Sequence, residues 1–143
     1  MSTTFSCIIN TTDSLAELGL EVWMDNYCIL NSQHVNQEIK INHEFDDSDG
    51  VHELKFILKN KTDAHTRIDE NGNIVNDACI TISQAAFDDI KLEHTFTEST
   101  QYSHNFNGTQ DLIIEPFYGV MGCNGTVSMQ FTSPVYLWLL ERM

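Results

Sequence analysis

Basic side chains are scarce in this chain: Lys and Arg number 7 in 143 residues, against 21 Asp and Glu, a formal net charge of -14 at pH 7. A surface of that sign repels phosphate backbones and anionic bilayers, so nucleic-acid and membrane partners are not expected. No apolar run reaches the roughly 18 to 20 residues that a membrane-spanning helix requires. The opening Met1-Ser2-Thr3-Thr4-Phe5 has no basic region leading into an apolar core, so no signal peptide is expected and the chain reads as unexported. The 4 cysteines, Cys7, Cys28, Cys79 and Cys123, contain no C-x-x-C pair, which removes a zinc ribbon and a redox motif and leaves buried free thiols as the expectation. No His-x-His occurs, so a cupin-type metal site is not indicated, and no linear spacing sets a base beside a thiol.

What is present is alternation. Ile39, Ile41, His43 and Phe45 alternate with polar residues, and so do Leu54, Phe56 and Leu58. A period of two marks strands with one buried face. The polar run Asp46-Asp47-Ser48-Asp49-Gly50 between them reads as the loop of a hairpin, with its carboxylates solvated. Leu18, Leu20, Val22 and Met24 form a further buried row that turns Trp23 to the other face. The stretch 5–10 reads as an edge strand, whose unpaired backbone groups would allow copies of the chain to associate as a homo-oligomer.

From Asn60 to Asp77 the apolar period stops, in a connection longer than two strands need, with Asn71-Gly72 closing a small hairpin between Ile68 and Ile74. Strands are expected at Ile80 to Ser83, at Ile90 to Phe96, and in the rows Tyr102-His104-Phe106, Leu112-Ile114 and Val127-Met129-Phe131. Val135 to Leu140 fits a doubly buried strand or a turn and a half of helix. Ser133 as N-cap before Pro134 tips the reading towards a short C-terminal helix. Short strands with regular turn signals point to one domain, 1–143, an antiparallel jelly-roll β-sandwich.

The order of features from Leu18 to Leu92 resembles calcium-dependent xylan-binding carbohydrate-binding modules. The matching stretches are Leu20-Glu21-Val22-Trp23-Met24-Asp25, His52-Glu53-Leu54-Lys55-Phe56-Ile57-Leu58-Lys59-Asn60, and Asp77-Ala78-Cys79-Ile80-Thr81-Ile82 with Phe87-Asp88-Asp89-Ile90. The resemblance implies a Ca²⁺ site in loops at one end of the sandwich, on which sugar hydroxyls complete the coordination. Carried over by position, Asn60 and Asp77 belong to that site. The family's Asn-Asp pair reads Asn60-Lys61 here, and Asp63 or Asp69 of the same loop could supply the missing carboxylate. The whole chain also resembles a family of small uncharacterised proteins of T-even-like marine phages that infect cyanobacteria. This second resemblance is carried by Leu54 to Lys61, Ile68 to Val75, Phe117 to Thr126 and Pro134 to Glu141, and it implies a virion or host-cytoplasmic location.

The functional expectation is a non-enzymatic binding protein. Glycan is the expected ligand, held through the 60–77 loop with Ca²⁺ and stacked on Trp23, the best set of the aromatic candidates Trp23, Tyr27, Tyr102, Phe117, Tyr118 and Trp138, and on Tyr27. The expectation from another class is a structural virion component that packs on other virion proteins and takes no small ligand. Of the six histidines, His43, His94 and His104 lie in phase with apolar neighbours and read as hydrogen-bonded core residues.

Overall fold

Strands that each carry one apolar row leave water by facing one another in layers. The computed structural model describes residues 2–48, 50–62, 66–68 and 70–142, with 66, 67 and 74–76 described as backbone alone, and it has this layered form. One antiparallel sheet contains β1 (Ser2–Thr11), β4 (Ile39–Asp46), β8 (Ile80–Phe87), β9 (Ile90–Lys91) and β12 (Val120–Met121), in the order β12-β8-β1-β4 with β9 paired to β8. The other contains β2 (Gly19–Met24), β3 (Tyr27–Ser32), β5 (Gly50–Lys59), β10 (Thr100–His104), β11 (Ile113–Pro116) and β13 (Gly125–Ser133), in the order β11-β10-β13-β5-β2-β3. A small hairpin of β6 (Thr66–Ile68) and β7 (Ile74–Asp77) stands outside both, with Ile68 opposite Ile74 as the Asn71-Gly72 turn predicts.

Between the sheets lie Phe5 and Ile9 from β1, Leu20 and Val22 from β2, Leu54, Phe56 and Leu58 from β5, and Val127, Met129 and Phe131 from β13. Burying a side chain of this size contributes about 1.5–3 kcal/mol, so these rows decide which face of each strand turns inward. The antiparallel β-sandwich expected from alternation is the fold. The C-terminal helix is also present, as α2 (Val135–Leu140), with Val135, Trp138 and Leu139 buried.

The pairing of the strands departs from expectation. β4 and β5 do not form a hairpin: β4 pairs with β1, from Ser2 opposite Asp46 to Ile9 opposite Ile39, while β5 lies between β13 and β2. Their apolar rows meet across the sandwich, where the Phe45 ring lies 5.4 Å from His52 and 5.6 Å from Phe131. Alternation states which side chains share a face, and a facing strand satisfies it as well as a neighbouring one. The loop between them is turned inward by Asp47, only 2% exposed. Its carboxylate accepts hydrogen bonds from Thr3 Oγ1 at 2.7 Å and from the Val135 N–H at 3.0 and 3.2 Å. Asp47 therefore supplies the helix-terminal acceptor expected of Ser133, and it is not solvated. Asp49 lies outside the described residues.

Two further expectations change. The stretch 5–10 is interior, because β1 is paired on both sides, by β4 and β8. The strand expected from Ile90 to Phe96 ends at Lys91 and gives way to α1 (His94–Ser99), with Leu92 and Phe96 buried. Apolar residues four apart fit both periods, and the turn at Glu93, with φ of 48°, decides for the helix.

Candidate functional site

The end of the sandwich beyond Lys59 holds two of the expected metal residues, Asn60 and Asp77. Asn60 takes a positive φ of 70° and is exposed, with its amide nitrogen over Gly19, where an added Cβ would meet it at 2.8 Å. Lys61 then turns inward until its side chain is 1% exposed, and its ammonium donates to Asp77 Oδ1 at 2.6 Å and to the Gly122 carbonyl. The Lys61 backbone is held by Asn124, whose Oδ1 accepts from its N–H at 2.9 Å and whose Nδ2 donates to its carbonyl at 2.8 Å.

Ca²⁺ takes six to eight oxygens and usually several carboxylates. Here a tethered ammonium already holds the Asp77 carboxylate and a neighbouring carbonyl, so these residues do not fit a divalent cation at Asp77. Asp63 and Asp69 lie outside the described residues. Among the described residues, no three His, Cys, Asp or Glu side chains converge as a metal site. The nearby thiols are not activated nucleophiles, because burial pushes both Cys79 and Cys123 up from their ordinary range. Of the four free cysteines, Cys7 and Cys79 are buried and Cys28 and Cys123 half-buried.

The two expected aromatic ligands are set apart. Trp23 lies half-buried on the outer face of its sheet, and its indole N–H donates to Glu21 Oε1 at 3.1 Å. Glu21 Oε2 in turn lies 3.2 Å from Lys59 Nζ. The Trp23 hydrogen bond, followed by that of Lys59, lowers the Glu21 carboxyl below its usual range. Tyr27, at the turn between β2 and β3, is 62% exposed, and its ring stacks on His43 of β4 at 5.0 Å and 19° between planes.

Tyr27 and His43 line an open groove of about 780 Å³ with Asp25, Asn26, Glu44 and Asp46. Partial burial lowers the His43 pKa, which favours a neutral ring. Hydrogen bonds from the Ser48 hydroxyl and backbone N–H hold the Asp46 carboxyl low. The expectation of a hydrogen-bonded core histidine holds for His104, which is buried and meets Glu115 Oε1 at 2.9 Å, whereas His43 is half-buried and stacked on Tyr27 and His94 is exposed on α1.

At the inner corner of the groove stands His52. Its Nδ1 lies 2.8 Å from Asp25 Oδ2 and its Nε2 lies 3.0 Å from Ser133 Oγ. Asp25, with φ of 54°, is pinned to the start of β5: its Oδ1 accepts from the Glu53 N–H at 2.9 Å, and its own N–H donates to the Glu53 carbonyl at 2.8 Å. The His52 ring stacks on Phe131 at 5.2 Å. Sequence reading missed this set because its members stand 27 and 81 positions apart. A signal was available for two of them. His52 continues the inward row of Leu54 and Phe56, and Ser133 that of Phe131, so two polar residues fall in phase with the core.

No family model matches the chain, and neither a curated protein nor a solved structure matches it.

Proposed function

We propose that the protein is a ligand-binding β-sandwich whose groove between Tyr27 and Asp46 takes an uncharged glycan. The observation that carries this reading is the exposed Tyr27–His43 stack flanked by Asp25, Asn26, Glu44 and Asp46. A sugar ring offers an apolar face of C–H groups and a rim of hydroxyls. The stack meets the first, and the carboxylates and amide accept and donate to the second. The net charge of -14 disfavours sulfated or uronic sugars and leaves neutral ones.

Direct hydrogen bonds to carboxylates would hold the sugar in the groove without a metal. The site proposed here therefore moves away from the 60–77 loop, where Lys61 holds Asp77. Trp23, tied to Glu21 on the outer face, is outside it.

Titration calorimetry with neutral oligosaccharides, chosen from a glycan array run with and without Ca²⁺, tests the reading. Tyr27→Ala should weaken binding about tenfold, the loss expected for one aromatic contact of about 1.4 kcal/mol. A blank array, or wild-type affinity in Tyr27→Ala, would refute it.

A second reading, a subunit that packs on other proteins of a phage particle, is favoured by a different observation. Ile114 of the outer strand β11 and Tyr118 just after it are both more than half exposed. Ile114, Pro116 and Tyr118 line one shallow depression there. Exposed apolar clusters of this kind mark protein contacts. Light scattering that finds only monomer at high concentration, with absence of the chain from purified particles by mass spectrometry, would count against it.

A further inference from the structure

We propose that Ser133, His52 and Asp25 form a nucleophile relay, at the edge of the groove that Asp25 and His52 line, that hydrolyses uncharged carboxylic esters. Hydrogen-bond roles fix the tautomer of His52. An ionised carboxylate only accepts, so the 2.8 Å contact from Asp25 Oδ2 requires the proton on His52 Nδ1. In the neutral ring Nε2 is then the acceptor, and it faces the Ser133 hydroxyl at 3.0 Å. This is the arrangement in which a histidine takes the serine proton and a carboxylate orients the ring.

Each member is fixed by a different part of the fold. Asp25 is pinned by two hydrogen bonds to Glu53, His52 is stacked on Phe131, and Ser133 ends β13 beside Pro134. The three residues come from neighbouring strands of one sheet, with Asp25 just after β2, His52 on β5 and Ser133 at the end of β13. Here both ring nitrogens are engaged, His52 lines the groove, and Ser133 is partly exposed.

The chemistry balances without a cofactor. Ser133 Oγ adds to the ester carbonyl as its proton passes to Nε2. The tetrahedral adduct collapses, and the leaving alkoxide departs with that proton, giving an acyl-serine and an alcohol. Water then adds to the acyl carbon, giving its proton to Nε2. Ser133 leaves and recovers the proton, and a carboxylic acid is released. The charge of the chain disfavours phosphoesters. Assigning the natural ester to an O-acylated sugar rests on the glycan reading of the groove; the nucleophile does not.

The test uses the full chain, a fluorophosphonate probe and p-nitrophenyl acetate. One adduct should form, map to Ser133 by peptide mass spectrometry and vanish in Ser133→Ala, with acetate release falling in parallel. Asp25→Asn should slow labelling at least about a hundredfold while the protein still melts cooperatively. Wild-type protein that takes no probe, an adduct at another residue, or Asp25→Asn labelled at the wild-type rate would each overturn the proposal. Mapping on the wild type decides the point even if Ser133→Ala fails to fold. Labelling of a wild-type protein that binds no sugar removes only the acyl-sugar assignment, and sugar binding by a wild-type protein that takes no label removes only the relay.

Discussion

Lys61 and Asp77 form an ion pair whose two halves differ in burial: the Lys61 side chain is 1% exposed and that of Asp77 35%. That asymmetry predicts unequal mutants. Asp77→Ala leaves an ammonium inside the protein with only the Gly122 carbonyl among its two partners here, and breaking a buried pair in this way costs about 3–5 kcal/mol. Lys61→Met keeps most of the side-chain volume and removes the buried charge. The Asp77 carboxylate can then hydrate, and the lost contact to Gly122 costs about 1–2 kcal/mol. In the double variant the stranded charge is gone, so it should resemble Lys61→Met and leave a coupling as large as the whole Asp77→Ala loss, about 3–5 kcal/mol. Urea denaturation at 25 °C measures all four corners of the cycle, and each kcal/mol should also appear as about 3–5 °C in melting temperature for a chain of this size. Wild-type melting should be the same with Ca²⁺ as with chelator, since the ammonium holds the oxygens that the ion would need. A Lys61→Met loss as large as that of Asp77→Ala, simple addition of the two effects, or a rise in wild-type melting temperature with Ca²⁺ would each refute this account of the ion pair.

Asp47→Ala should cost about 3 kcal/mol, because the Val135 N–H and the Thr3 hydroxyl lose their acceptor at once, whereas Asp47→Asn keeps an oxygen and should cost about half; urea unfolding followed by tryptophan fluorescence separates them. Gly125→Ala would set a Cβ 2.3 Å from the Ser103 carbonyl oxygen, so β13 and β10 must part at an expected cost of about 1–3 kcal/mol, read by the same assay. The His43 pKa is lowered from 6.5 by burial, so below that value the unfolded chain takes up its proton before the folded one; stability should be complete above pH 6.5 and decline as pH falls through the folded value, a slope that His43→Gln should flatten in urea melts from pH 5 to 8. Burial pushes the Cys7 thiol up to about 12, and a thiol reagent at pH 8 should leave it unmodified until the protein unfolds, as peptide mass mapping would show.

Residue order alone determined the local features. The rows Leu20-Val22-Met24, Leu54-Phe56-Leu58 and Val127-Met129-Phe131 turn inward as alternation requires, Ile68 meets Ile74 across the Asn71-Gly72 turn, and the run after Pro134 is helical. Each depends on contacts between residues close in the chain or on the transfer of one side chain from water. Only the tertiary structure decided that 39–46 faces 50–59 across the core and does not pair with it, that Asp47 turns inward to meet α2, and that Lys61 closes on Asp77. It alone brought Asp25, His52 and Ser133 within hydrogen-bond reach. A period of two fixes the side of a strand but carries no information about which strand lies beside it. Strand partners are set by how the loops carry the chain between sheets, and so is every site built from residues far apart in sequence.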